Sequence, residues 1–150
     1  MEAEQFDERK NLKDCLPGEL FLFAIQGFIF TGELLIKQNP NSKAQLYVEP
    51  AKQLYEKLSA LFEIDPTEEH YSYESIITCL GALPTEECAF AVKMVNEFIQ
   101  GLEITMARNP YVATTRPNVV RNYEILTKMM EELDKYGERY REKEDSTDIK

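Results

Sequence analysis

The sequence contains no tryptophan, one histidine and three cysteines in 150 residues. His70 with Cys15, Cys79 and Cys88, which include no C-x-x-C pair, cannot make a Cys/His zinc set at any familiar spacing. A lone histidine also excludes the di-iron bundle, which needs Glu-x-x-His on two helices. No metal and no cofactor is expected. Glycine is scarce, at 6 residues, and forms neither a G-x-G-x-x-G fingerprint nor a phosphate-cradling loop. The motifs G-x-S-x-G and H-E-x-x-H are also missing. Acids pair at Glu68-Glu69, Glu86-Glu87 and Glu131-Glu132, but helix neighbours point about 100° apart. They read as solvated faces and helix N-terminal charge, and no catalytic residue is assigned.

Positive charge is in short supply. Acids outnumber bases 27 to 17, for a net charge of −10. Phosphate-backbone binding needs clustered Lys and Arg, so direct nucleic-acid binding is not expected. Long apolar runs are missing too. The most apolar stretch, residues 20–36, is broken by Gln26, Gly27, Thr31, Gly32 and Glu33, whereas a membrane span needs roughly 20 apolar residues. It reads as a buried helix of a soluble protein, with no membrane partner. The opening MEAEQFDERKNLKD has no apolar run behind a basic flank, so no cleavable secretory signal is expected. Cys79 and Cys88 then read as small buried hydrophobes in a reducing cytosol. Cys88 lies near a helix start, but Glu86 and Glu87 beside it oppose a thiolate.

What is present is helical punctuation. Hydrophobic residues make up 43% of the chain, enough for a core. A first helix is expected from about Glu19 to Gln38, stopped by Asn39-Pro40. Gly27 and Gly32 inside it each cost up to about 1 kcal/mol against alanine and imply close packing of another helix. Pro50 suits a first helical turn, followed by an apolar stripe at Ala51, Leu54, Tyr55, Leu58, Leu61 and Phe62. Asp65-Pro66-Thr67-Glu68 has the form of a capping box opening a short turn. A short helix over residues 72–83 carries Ile76, Ile77 and Leu80. The longest helix begins near Thr85, with a seam at Cys88, Val92, Val95, Ile99, Leu102 and Met106, and ends at Arg108. The last opens near Pro117, with a seam at Val119, Tyr123, Leu126, Met130 and Leu133 and Gly137 as its C′ glycine. Two matching seams across a short linker predict an antiparallel hairpin. Each half repeats the order helix, Asn-Pro, loop, proline-opened helix. Residue identity between the halves is negligible, so this reads as shared punctuation.

Charge is distributed unevenly along this frame. Residues 49–103 carry 11 acids and 3 bases, whereas residues 104–123 carry three bases and no acid. The latter include NPYVATTRPNVVRNY, residues 109–123. Arg108 closes a helix, where a cation complements the dipole. Thr114 and Thr115 are candidate N-caps of the last helix, and Arg116 and Arg121 lie in its N-terminal turn, where positive charge favours a bound anion. Arg108, Thr115, Arg116 and Arg121 are therefore the candidate contacts for an anion or an acidic partner. His70 reads as a surface histidine beside Glu68 and Glu69. Tyr47, Tyr71, Tyr73 and Tyr111 fall in loops and helix ends, where exposed aromatics suit protein interfaces.

The stretches GELFLFAIQGFIFTGELLIKQNPN, YSYESIITCLGALPTEECAFAVKMVNEF and YEILTKMMEELDKYG resemble, in order and pattern, a bacterial family, domain of unknown function 1896. The resemblance covers about two-thirds of the chain and departs from the family in lacking a tryptophan in the middle segment. It implies a small all-helical cytoplasmic protein, often linked with mobile elements, and carries no catalytic residues.

These readings converge on an all-α chain of about five helices: one domain over residues 16–137, with a polar tail before it and a charged tail over 138–150. The expected function is a non-enzymatic interaction module, binding a protein partner or forming a homodimer. The alternatives are an acidic nucleic-acid mimic that inhibits a DNA-binding protein, and an enzyme of new type.

Overall fold

The computed structural model describes residues 12–148, with side chains described as far as residue 138. The described residues form six α-helices: α1 (Pro17–Gln38), α2 (Val48–Glu63), α3 (Tyr73–Gly81), α4 (Thr85–Arg108), the single turn α5 (Val112–Thr115) and α6 (Pro117–Asp148). A 3-10 turn, Lys43–Leu46, precedes α2. The architecture is an all-α bundle, as the periodicities imply. The expected polar tail of residues 1–15 lies outside the described residues up to residue 11. Its end does not behave as a tail, because Leu12 is buried in the core.

Local chemistry explains the boundaries. Pro17 opens α1 at a position where its missing N–H is harmless. Glu19 reaches back to accept from the Leu16 backbone N–H at 2.8 Å, half of a capping box. Pro50 sits in the first turn of α2, two residues later than a proline-opened start. The Asp65–Glu68 box opens no helix. Ser72 instead caps α3, its hydroxyl accepting from the Ser75 N–H at 3.2 Å. Gly137 is not a C′ glycine: α6 continues through it to Asp148, and no described glycine has a positive φ. The charged stretch after residue 138 thus begins as helix.

α1 is the hub, packing most extensively on α4 and then on α2, with further contacts to α3 and α6. α2 runs back along α1, since Val48 and Tyr47 lie over Gly32 and Phe62 lies over Gly18. α4 runs in the same direction as α1: Phe98 lies against Phe23 and Gly27, and Lys57 near the end of α2 bridges Glu87 near the start of α4 at 2.9 Å. α6 then returns along α4, and the Tyr123 hydroxyl reaches Glu103.

Identity between the two halves is low overall but gathers at one register, 70 residues apart, toward the ends of α1 and α4. Phe28/Phe98, Ile29/Ile99, Glu33/Glu103, Asn39/Asn109 and Pro40/Pro110 are identical pairs, each 70 residues apart. Both asparagines close their helices with near-equal backbone angles and accept, through Oδ1, from the N–H two residues on, at 3.1 and 3.0 Å. At positions 70 residues apart a buried large residue in one helix corresponds to a buried small one in the other: Phe21 to Ala91, Met94 to Ala24, Leu102 to Gly32. The shared punctuation is one hairpin plan used twice.

The buried faces differ in detail from the seams. On α6 the buried set is Val119, Asn122, Leu126, Met129 and Leu133, with Tyr123 and Met130 only half-buried. On α4 it is Ala91, Met94, Val95 and Leu102, with Val92 and Ile99 half-buried. Each helix packs against more than one neighbour, so its apolar face is wider than one seam.

Gly27 and Gly32 do mark close helix approach. A Cβ at Gly27 would stand 2.2 Å from the Phe98 ring, and one at Gly32 would stand 2.6 Å from Val48. A Cβ at Gly101, within α4, would meet nothing within 4 Å. The same substitution therefore has opposite signs at two helical glycines. Gly27→Ala overpacks the interface and is expected to cost about 1–3 kcal/mol, whereas Gly101→Ala is expected to gain up to about 1 kcal/mol from helix propensity. Urea unfolding of the two variants beside the wild type measures both.

Candidate functional site

Three regions have the ingredients of a site. The first is the corner between α4 and α6 that holds the candidate arginines. Arg108 ends α4, Arg116 stands at the N-cap of α6 and Arg121 is the fifth residue of α6, one turn deeper than the N-terminal turn. All three are exposed, as is Thr115. Thr115 does not cap α6: its hydroxyl donates to the Tyr111 carbonyl at 3.0 Å inside α5. The extra turn α5 occupies residues expected to be loop, and Val112 anchors it in the core. The first turn of α6 has no acidic residue.

Because α1 and α4 run the same way, their two Asn-Pro corners lie at one end of the bundle. Residues 34–48 carry Lys37 and Lys43 and no acid, matching the acid-free stretch 104–123. This end also holds five exposed large apolar side chains, Leu34, Leu35, Leu46, Ile104 and Tyr111; Leu46 and Tyr111 are 79% and 71% exposed. The sequence signal for this apolar group was weak, since only the topology gathers residues from two distant segments. The opposite end carries Glu19, Glu63, Glu68, Glu69, Glu74 and Glu86, with Leu16 and Ile64 exposed among them. The acids elsewhere are partly paired: Glu33 and Glu49 both meet Lys52, at 2.7 and 3.6 Å.

The second region is the loop between α2 and α3. The Asp65 side chain is wholly buried. It accepts from the Thr67 N–H at 2.9 Å and from the Thr67 hydroxyl at 2.8 Å, with His70 Nδ1 at 4.0 Å. Desolvation pushes this carboxyl up, but the polar surroundings of Ser75, the hydrogen bonds from Thr67 and the nearby His70 outweigh it and hold it below the ordinary 3.8. Tyr71, with φ at 65°, is the only non-glycine residue in the left-handed region among the described residues. That conformation costs about 1–2 kcal/mol. It is held by the Gly18 N–H donating to the Tyr71 carbonyl at 2.7 Å and by stacking of the Tyr71 ring on Phe62 at 5.2 Å. Gly18 has to be glycine, since a Cβ there would meet Phe62 at 2.9 Å and the Tyr71 backbone at 3.0 Å.

Aspartate, histidine and serine together suggest a nucleophilic triad, but the geometry is that of a latch. Ser75 is wholly buried and its hydroxyl donates to the Glu69 carbonyl at 2.9 Å. No substrate reaches it, and its proton is committed elsewhere. Two of the thiols are held in their protonated form. Burial, with Asp65 nearby, pushes Cys79 up to about 11, and burial raises Cys88. Neither is a thiolate at neutral pH. Among the described residues no group of three or more His, Cys, Asp or Glu side chains could hold a metal ion.

The third region is a cavity of about 320 Å³ between α1 and α4, lined by Phe28, Thr31, Leu35, Tyr47, Glu97, Phe98, Gly101, Leu102 and Thr105. Phe28 and Tyr47 pack with ring centroids 5.1 Å apart. Glu97 is its one ionisable carboxylate, and no cation lines it.

By length and composition α1 is the one helix among the described residues able to cross a membrane, but half of its most apolar window is buried inside the bundle. Comparison with protein-family models, with curated proteins and with solved structures gives no match.

The latch makes a pH prediction. Its folded-state pKa lies below 3.8, so the Asp65 carboxylate contributes stability above that value and loses it as pH falls through the lowered folded value. Thermal unfolding followed by circular dichroism from pH 6 to pH 2.5 should show a falling midpoint in the acid limb. Asp65→Asn should cost about 1–3 kcal/mol at neutral pH, through unmet loop donors, and flatten that limb.

Proposed function

We propose that the protein is a non-enzymatic interaction module that uses its basic, apolar corner end to bind an acidic protein surface. One observation carries this reading: two chain-distant corners, both free of acids, meet at one end of the bundle beside five exposed apolar side chains. Exposed large apolar side chains gathered at one end suit an interaction surface. Cations around such a patch select for an acidic partner and speed the encounter.

A second copy is the first candidate partner, since its opposite end supplies Glu19, Glu63, Glu68, Glu69 and Glu86 around exposed Leu16 and Ile64. Such a contact joins unlike surfaces, so copies add head to tail. Free thiols at Cys79 and Cys88 suit a cytoplasmic setting.

Sedimentation at high protein concentration should show assembly at about 50 mM salt that dissolves at about 500 mM, as the screening length shortens. A monomer under both conditions sinks self-association. Capture from native-cell extract with wild type and with the Arg108→Glu, Arg116→Glu, Arg121→Glu triple variant then decides the wider reading. The folded variant should lose the acidic partner; unchanged capture overturns the assignment of the binding end.

A further inference from the structure

We propose that the cavity between α1 and α4 is a binding site for a small organic ammonium ion. It goes beyond the interaction reading, since it uses none of Arg108, Thr115, Arg116 or Arg121. The positions of its rings are set by glycines. Gly27 lets the Phe98 ring lie on α1, where any Cβ would collide with it at 2.2 Å. Gly32 does the same for Tyr47, whose ring carbon would stand 3.3 Å from a Cβ there. Phe28 packs against Tyr47 with the rings inclined by 38°. Three aromatic rings thus line one space, together with the buried side chain of Leu102.

The chemistry of that lining selects an ammonium ion over other small ligands. Aromatic rings attract a cation through their electron-rich faces. The one charged group in the lining is the carboxylate of Glu97, which is exposed and so able to meet a ligand without a large desolvation cost. The Thr105 hydroxyl already donates to the Gly101 carbonyl at 2.9 Å, and no cation lines the space to hold an anion. A volume of about 320 Å³ is at the lower end of small-ligand pockets.

Gly101 is the independent observation. It lies in the middle of α4, where glycine is unfavourable by about 1 kcal/mol against alanine, yet a Cβ there would touch nothing within 4 Å. Packing does not require a glycine at this position. Gly101 is exposed and lines the cavity, so a side chain there would project into room that a ligand could fill.

The test is titration of the full chain with choline, followed by NMR shifts of the Phe and Tyr rings, beside its neutral isostere 3,3-dimethylbutan-1-ol. Choline is expected to saturate in the millimolar range, with the isostere and the Glu97→Gln and Tyr47→Leu variants each about tenfold weaker. Gly101→Ala should weaken choline binding by a similar factor while its urea midpoint stays level or rises, which separates a filled site from a damaged fold. Equal affinity for the isostere, no saturation up to ~50 mM choline, or full binding by a stable Gly101→Ala variant would overturn the proposal.

Discussion

Phe21, Ala24 and Ile25 have no exposure to solvent, and Leu20, Leu22, Phe23 and Ile29, which point to other sides of the same helix, have almost none. A helix apolar on so many faces cannot sit at a surface, because each large side chain left in water forfeits roughly 1.5–3 kcal/mol. The first part of α1, as far as Ile29, must be surrounded. α2 folds back over one side, α4 lies along another, and α3 and α6 close the rest. The glycines follow from this demand. Helices that bring bulky residues against one another from several directions need places where a ring can lie on bare backbone, and Gly27 under Phe98 is the tightest of them. Gly18 serves the loop in the same way, letting the strained Tyr71 turn seat itself on the start of α1.

Enclosing α1 also fixes the electrostatics. When α4 packs along α1 in the same direction, the corners that follow the two helices fall at one end, and the starts of both helices fall at the other. Helix starts favour carboxylates and helix ends favour cations. Glu19 and Glu86 stand in the first turns of α1 and α4, and Lys37 and Arg108 in their last turns. Local dipole complementarity, repeated in two parallel helices, becomes a charge difference between two ends of a domain. In an antiparallel pair the same residues would have cancelled.

That difference explains what was legible in the sequence. Helix ends were readable because Asn39-Pro40 and Asn109-Pro110 act through steric rules local to a few residues. The role of Gly27 and Gly32 was readable because a glycine inside a helix needs a tertiary reason. Gly137 misled, because a C′ glycine is inferred from position, whereas the chain there keeps helical backbone and lies near Ile77 of α3. Asp65 was readable as the start of a turn, and it does accept from the Thr67 N–H there, but its inward burial was not readable, because the same pattern fits an exposed cap. The arginine corner was visible as a run without acids, but its apolar company was not. Leu46 and Tyr111 are far apart in sequence, and only the direction of α4 relative to α1 puts them at one end.

The helical glycines also separate folding from function by their costs. Gly27 and Gly32 are accounted for by rings and methyl groups that a Cβ would strike, and Gly81 ends α3, where helix propensity matters little. Gly101 has neither excuse, and Gly137 inside α6, where a Cβ would make only an ordinary 3.7 Å contact with Ile77, has none either; of the two, only Gly101 lines the cavity. For stability alone, alanine is the better residue at that position, by about 1 kcal/mol. A local choice that opposes the fold without a packing gain is the kind expected where a site needs space. Phe28, Tyr47 and Phe98 surround that space with rings that the core does not fully bury. Their partial exposure next to an uncompensated glycine is therefore the feature of this bundle that folding explains least and a bound ligand explains most directly.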